Sequence, residues 1–219
     1  MTTKTLEDLQ SALLEQTVIN DPFSGEISAA AFKDGSMLWP GDNWARVEHF
    51  HTTEADGRSV VEVRCYKDAA ADAFLPVSFV FDPKAPTGPT AYVYSDHHLV
   101  EDRARILEPV PGLHPWRDEE DMLFSYFKVL GENKIDDILA HFAEDSYFMH
   151  SNGGIHLGYD ALRADFEKML EGGGIRIDYC RLTDDGVTCV VEAYMPSGRP
   201  AIAIYERGET VLKAVRIYL

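Results

Sequence analysis

The feature that most constrains the fold of this chain is an internal repeat. Three short segments of the first half recur in the second half at an offset of about 130 residues: RVEH (46–49) as RIDY (176–179), VVE (60–62) as VVE (190–192), and VIND (18–21) as YFMH (147–150). Between these segments, the predicted helices and strands follow one another in the same order. Self-similarity at a fixed period indicates repeated structural units. We therefore predict that the chain contains two copies of one fold.

The second copy has the clearer pattern. Apolar residues recur at helical spacing through residues 119–142, and a Gly-Glu-Asn turn at 131–133 interrupts them, which predicts two helical pieces. A short strand (146–150) and a third helix (160–170) follow, and the glycines at 172–174 end that helix. Further strands are predicted at 175–182, 188–194, 201–206 and 211–218. Helices followed by an antiparallel meander are typical of the α+β class.

The first copy is reduced. It has one predicted helix (6–14) before its short strand, and strands at 75–81 and 90–94 complete its sheet. Three prolines between residues 108 and 115 predict an extended linker. We therefore expect a reduced α+β domain at 1–108 and a complete α+β domain at 116–219.

Composition excludes several classes of function. The formal net charge is −17 at pH 7, so the chain repels nucleic-acid phosphates and anionic lipid headgroups, and we expect no nucleic-acid or membrane partner. No run of about 18 apolar residues is present, and the first ten residues lack the pattern of a secretory signal. The cysteines, Cys65, Cys180 and Cys189, show no CxxC spacing, which predicts reduced, buried thiols in a cytoplasmic protein.

Three segments of the second copy resemble the SnoaL-like branch of the nuclear transport factor 2-like superfamily: LAHFAEDSYFMH (139–150), GYDALR (158–163) and VLKAVRIY (211–218). In that family a helix leads into F-x-x-D, a strand then ends in histidine or another polar residue, and G-x-x-A-(I/L)-R opens the next helix. The resemblance covers the second copy well and the first copy weakly. It implies two tandem cone-shaped α+β barrels, each a curved antiparallel sheet wrapped on helices, with the first barrel reduced.

The resemblance also implies a pocket at the mouth of the cone, lined mostly by apolar side chains. The family includes ketosteroid isomerase, scytalone dehydratase, polyketide cyclases and lignin-dimer lyases, and also binding and dimerisation modules. Members dimerise through the outer sheet face, so we expect the two copies to pair as a pseudo-dimer, and a further homodimer stays open. No GxGxxG follows a strand and no P-loop is present, so no nucleotide cofactor is expected.

His150 is the leading catalytic candidate. It ends the short strand where the family places a polar residue, and burial in an apolar pocket brings histidine and carboxylic acid pKa values towards neutrality. The alternative is a histidine that only hydrogen-bonds the following Ser-Asn-Gly-Gly turn. Asp178 is a second candidate, because a carboxylate in the middle of an apolar strand is out of place unless it is paired or faces a pocket. Its alternative is a solvent-facing strand residue.

The strand around residues 47–51 carries two histidines. A period of two places His49 and His51 on one face. Three interpretations stay open: acid–base groups in a pocket, a metal site completed by Glu54 and the histidines that follow Asp96, or a contact on the sheet face or between the domains. His97, near the expected pocket rim of the first copy, is a further catalytic candidate. No metal is assigned.

Substrate-binding candidates are the aromatic and cationic side chains expected near a pocket: Tyr147, Phe148, Tyr179, Tyr194 and Arg105. A tyrosine can hydrogen-bond a developing oxyanion, and Arg105 can hold an anionic group. Strand packing and surface salt bridges are the alternatives.

Two classes of function remain. The first is a cofactor-independent lyase or dehydratase that acts on a small hydroxylated aromatic molecule by general acid–base catalysis, including C–C cleavage through a quinone methide. An isomerase like ketosteroid isomerase and a polyketide cyclase are its alternatives. The second class is a non-catalytic ligand-binding or dimerisation module.

Overall fold

The structure is a computed structural model that describes residues 18–21, 25–28, 45–85, 90–95, 107–195 and 197–219. The chain divides into two compact units. The first unit consists of Met1–Ile106 with Ser151–Gly153 and Tyr218–Leu219, and the second consists of Leu107–His150 and Gly154–Ile217. The predicted helix at 6–14 lies outside the described residues.

The described part of the first unit is one six-stranded sheet. Its strands are β1 (Val18–Asp21), β2 (Gly25–Ser28), β3 (Arg46–Ala55), β4 (Arg58–Tyr66), β5 (Leu75–Asp82) and β6 (Thr90–Ser95). They lie in the order β2-β1-β6-β5-β4-β3. Strands β1 and β6 are parallel, and the other neighbouring pairs are antiparallel.

The second unit combines helices with a second six-stranded sheet. Its helices are α1 (Met122–Gly131), α2 (Ile135–Leu139) and α3 (Tyr159–Met169). Its strands are β7 (Phe142–Met149), β8 (Ile155–Leu157), β9 (Asp178–Asp184), β10 (Thr188–Tyr194), β11 (Pro200–Arg207) and β12 (Leu212–Tyr218). The predicted α+β class is confirmed. None of the described helices has the length and apolarity that a membrane-spanning segment needs.

The two sheets have the same topology. The second is ordered β8-β7-β12-β11-β10-β9, which repeats the order of the first sheet with every strand number raised by six. Its first and last strands, β7 and β12, again pair in parallel. Both sheets also contain a register shift at the same point: Phe50 interrupts the pairing of β3 with β4, and Cys180, 130 residues later, interrupts the pairing of β9 with β10.

The register shift at Phe50 changes which side chains share a face. His49 pairs with Val63, whereas His51 pairs with Glu62, and successive residues of β4 face opposite sides of the sheet. His49 and His51 therefore lie on opposite faces. The prediction of a shared face is wrong, because a bulged strand has one extra residue and strict alternation ends there.

Aromatic and aliphatic side chains fill the space between the second sheet and its helices. The largest rings of this core meet at tilted or edge-on angles, with centroids 5.1–5.9 Å apart, and they belong to Tyr126, Phe127, Phe142, Phe148, Phe166 and Tyr205. The cysteines Cys65, Cys180 and Cys189 are free and buried, as predicted.

A charged network holds the start of α1 to the sheet. Asp121 caps the helix, since its Oδ1 accepts the Leu123 N–H at 2.9 Å. Arg207 of β11 donates to Oδ2 of Asp121 and to Oδ2 of Asp184, both at 3.0 Å. Burial opposes ionisation of Asp121, but the hydrogen bonds from Leu123 and Arg207 outweigh it and lower the pKa of this carboxyl.

Candidate active site

His150 is positioned by the end of strand β7 and the turn that follows. Its backbone N–H donates to the Gly154 carbonyl at 2.9 Å, which closes the turn into β8. Alternation along β7 places His150 on the same face as Phe148, a core residue, and the two rings are 4.9 Å apart. The imidazole thus extends the apolar face of the strand to its edge, where 32% of the side chain is exposed.

Asp165 reaches the same place from helix α3. Leu162, Asp165 and Phe166 form the buried face of this helix, because residues three and four apart lie on one side of an α-helix. The Asp165 side chain is only 9% exposed. A carboxylate at such a position needs a partner, since burying an uncompensated charge is costly.

The partner of Asp165 is the His150 imidazole. Nε2 of His150 lies 2.9 Å from both carboxylate oxygens, so Nε2–H donates to Asp165 in the neutral ring. Among the described residues, Nδ1 of His150 has no hydrogen-bond partner. The carboxylate therefore orients the ring and leaves the Nδ1 lone pair available to accept a proton.

A second histidine completes the cluster. His156 lies on β8 directly opposite Phe148, and its ring is 5.0 Å from the His150 ring at an angle of 74°. Its Nε2 is 3.9 Å from Oδ1 of Asp165, beyond hydrogen-bond range. The two imidazoles are thus partly exposed and the carboxylate is nearly buried. We call His150, His156 and Asp165 the His–His–Asp cluster.

The inner side of the His–His–Asp cluster is apolar. Phe148 and Phe166, which flank the cluster residues in sequence, are buried and meet edge to face at 5.7 Å. Apolar surroundings exclude water from one side and strengthen the electrostatic interactions of the nearby groups. The cluster therefore has one side that faces solvent and an inner side from which apolar rings exclude water.

Four other predicted site residues of the second unit lie outside this cluster: Tyr147, Tyr194, Asp178 and Tyr179. Tyr147 is on the face of β7 opposite His150, where its hydroxyl accepts from Arg216 at 3.3 Å. The Tyr194 hydroxyl donates to the Leu107 carbonyl at 2.8 Å. Asp178 is exposed at the start of β9. Of the predicted set, the structure brings together His150 and Phe148.

Tyr179 is part of a group of interior phenols. Its ring meets Phe127 at 89°, and Tyr126 and Tyr205 lie deeper in the same core. Burial raises the pKa of all three hydroxyls above the ordinary tyrosine value. These phenols therefore stay protonated near neutral pH and can act only as neutral hydrogen-bonding groups.

The predicted residues of the first unit form no comparable cluster among the residues that the structure describes. His49 is half-buried, and its Nε2 lies 2.9 Å from the Thr52 hydroxyl. His51 is half-buried on the other face of the sheet. His97 and Arg105 lie outside the described residues, so their roles stay predictions.

Asp165 and His156 were not predicted from the sequence. Asp165 carries a usable signal: it lies three residues after Leu162 and directly before Phe166, so it falls on the predicted buried stripe of its helix. A search for apolar residues alone passes over Asp165, so the signal is found only by asking which polar residues fall on that stripe. His156 occupies a three-residue strand that is too short to show alternation.

No family model matches this chain, and no curated protein sequence matches it. Solved structures do. An NTF2-like protein of unknown function from Cytophaga hutchinsonii is 13% identical, covers 48% of this chain and 93% of its own, and has a TM-score of 0.39. A SnoaL-like protein of unknown function from Burkholderia thailandensis is 13% identical over 43% of this chain and 89% of its own, with a TM-score of 0.38.

The epoxide hydrolase/cyclase-like enzyme SalBIII, described in pyran ring formation in the polyether salinomycin, is 19% identical. The match covers 43% of this chain and 84% of SalBIII, with a TM-score of 0.36. The NTF2-like and SnoaL-like names among these neighbours are those of the family that the sequence resembles. Each match covers less than half of this chain, so the candidate site rests on the contacts of the chain's own residues.

Proposed function

We propose that this chain is a cofactor-independent acid–base enzyme of the lyase or dehydratase type, built from two tandem SnoaL-like copies of which the second carries the reaction. The observation that supports this proposal is the contact of His150 Nε2 with both oxygens of the nearly buried Asp165, at 2.9 Å.

The His150–Asp165 pair performs general-base catalysis in the following way. Asp165 accepts a hydrogen bond from Nε2–H of His150 and so fixes the tautomer in which Nδ1 is unprotonated. Nδ1 then takes a proton from the substrate, and the adjacent carboxylate stabilises the imidazolium that forms. A positioned base of this kind typically contributes about 10²–10⁴-fold to a rate.

The proposed substrate is a phenol with a benzylic hydroxyl group, bound against the apolar inner side of the cluster. Solvent water carries the phenolic proton to the departing hydroxide, because the two oxygens of a para-substituted ring are too far apart for one imidazole nitrogen, so one water molecule leaves and a quinone methide remains. Nδ1 then accepts a proton from the carbon next to the benzylic one, the C–H electron pair restores the aromatic ring, and solvent returns a proton to the ring oxygen, which gives a vinyl phenol. If that carbon bears a hydroxymethyl group, Nδ1 accepts the proton of its hydroxyl instead, and the C–C bond breaks to release formaldehyde while its electron pair restores the ring.

The decisive experiment measures turnover of a panel of para-hydroxyphenyl carbinols by the absorbance of the conjugated product. We expect His150→Gln to lower kcat about 10²–10⁴-fold, because glutamine keeps polarity but accepts no proton. Asp165→Asn should also lower kcat with little change in KM, since it keeps the shape of the side chain and removes its charge.

His114→Ala is the matched control. His114 is an exposed histidine of the second unit whose Nδ1 bonds the nearby Trp116 carbonyl at 2.8 Å, so its loss should leave turnover unchanged. Turnover by His150→Gln equal to that of the wild type would contradict the assignment of His150 as the base.

A filled core favours a second candidate function, a non-catalytic module. Buried rings such as those of Tyr126, Phe142 and Phe166 occupy the interior that a large ligand pocket would need. A module of this kind would convert none of the panel compounds, and calorimetry would detect no saturable binding of them.

A further inference from the structure

We propose that the His–His–Asp cluster binds one divalent first-row transition-metal ion, with Zn²⁺ as its probe. The ligands are Nε2 of His150, Nε2 of His156 and one carboxylate oxygen of Asp165. Imidazole and carboxylate together suit zinc and its neighbours, and three protein ligands leave a coordination position for water.

The ligand atoms already have nearly the spacing that a metal requires. In a tetrahedral zinc site with bonds of about 2.0–2.1 Å, neighbouring ligand atoms are about 3.3 Å apart. Oδ1 of Asp165 lies 2.9 Å from Nε2 of His150 and 3.9 Å from Nε2 of His156, and one ligand atom from each residue lies within 4.8 Å of the others. Small side-chain rotations reach the required spacing without a backbone change.

The burial of the carboxylate separates this cluster from an ordinary acidic surface. Asp165 is 9% exposed, whereas His150 and His156 are 32% and 37% exposed. A nearly buried carboxylate beside two imidazoles offers three ligand atoms, and a bound cation compensates the burial of the carboxylate. The two partly exposed rings leave a path by which a metal ion reaches the carboxylate.

The ligands come from three elements that pack together. The register of β7 with β8 sets His156 opposite Phe148, and so near His150, while α3 packs against both strands. Phe166, the neighbour of Asp165 in α3, packs on Phe148 of β7. Ligands fixed in this way lose little freedom on binding, which favours affinity.

Metal binding and the proposed general base exclude one another. The base requires hydrogen on Nε2 and a lone pair on Nδ1 of His150, whereas the metal requires the lone pair of Nε2. A metal ion thus replaces the hydrogen bond between His150 and Asp165. The site has one occupant at a time, a proton or a metal ion.

The test is a calorimetric titration with Zn²⁺ in the absence of substrate. The full chain is used without an affinity tag, after a chelator has removed any bound metal. We expect saturable binding of one ion per chain. His156→Ala should weaken binding by at least about 100-fold, since loss of a ligand costs more than the 10–100-fold typical of an outer-shell partner. His114→Ala, in which an exposed histidine is removed, should bind Zn²⁺ as the wild type does.

Nitrogen NMR gives a second measurement that does not depend on the stability of a variant. Addition of Zn²⁺ should move the Nε2 signals of His150 and His156 and leave that of His114 in place. Absence of saturable binding, or equal affinity in His156→Ala and wild type, would overturn the metal site. Neither result bears on turnover by His150 in metal-free protein, so the two proposals fail separately.

Discussion

Replacement of Gly174 by alanine tests how the segment after α3 is held to the end of α1. An ideal Cβ on Gly174 lies 1.9 Å from the Gly131 carbonyl oxygen and 2.4 Å from its carbonyl carbon. Real Cβ atoms essentially never approach another heavy atom within 3.0 Å. Both atoms belong to the backbone, so no side chain can rotate away, and the two segments must separate by about 1 Å.

Forced separation of packed segments typically costs about 1–3 kcal/mol. We therefore expect Gly174→Ala to reduce the free energy of unfolding of the second unit by about that amount. Guanidinium denaturation followed by far-UV circular dichroism measures it as a lower midpoint. Because α3 also carries Asp165, the same variant should broaden the NMR signals of the His150 ring.

Gly172→Ala is the matched control, two residues earlier in the same run of glycines. A Cβ on Gly172 meets no atom within 4 Å, and its φ lies outside the left-handed region. Alanine there restricts mainly the unfolded chain, which stabilises a protein by about 0.4–1 kcal/mol. If Gly174→Ala is as stable as Gly172→Ala, the close approach of Gly174 to Gly131 does not exist in solution.

Two further predictions concern buried ionisable groups. The lowered pKa of Asp121 means that this carboxyl stabilises the fold above its ordinary pKa of 3.8 and that the contribution is lost as the pH falls through the folded pKa. Asp121→Asn keeps a capping side chain but removes the charge that faces Arg207, so denaturation should find it less stable than the wild type at pH 7, and the difference should shrink as the pH falls below 3.8. Burial raises the pKa of the Cys65 and Cys189 thiols to about 12, so Ellman's reagent should label them only after unfolding, and rapid labelling of the native protein would contradict their burial.

Element order in the second unit follows closely from hydrophobic periodicity. The strand predicted at 188–194 coincides with β10, and the helix predicted at 160–170 differs from α3 by one residue at each end. Both segments are long and strongly periodic, and such segments are determined mainly by local pattern. Strand β7 begins four residues before its predicted start, because Ala143, Glu144 and Asp145 carry no apolar alternation.

Side-chain partners depend on tertiary register, which local pattern does not contain. The extra residue at Phe50 reversed the face of His51, and nothing in the alternation of apolar residues marks that bulge. His156 comes near His150 only through the pairing of β8 with β7. His150 was predictable as a candidate from its place at the end of the short strand, where the resembled family has a polar residue, whereas its pairing with Asp165 required the packing of α3.

Comparison of the two sheets distinguishes residues that the fold requires, which are present in both, from residues of a functional site, which are present in one. Thr53 and Thr183 hold equivalent places, each three residues after a register shift, and both are buried. Repetition at the same offset indicates that a buried threonine at this place belongs to the common architecture.

The histidine pair does not repeat. The sequence alignment places Asp21 at the position of His150, and the pairing of β1 with β2 places Ile27 at the position of His156. The buried carboxylate of Asp165 departs from the pattern that gives a helix an apolar face. The first sheet has the same strand order as the second without the two histidines. A polar departure that the fold does not require is where a function is expected, and this supports the proposal that the second copy is the one to test for activity.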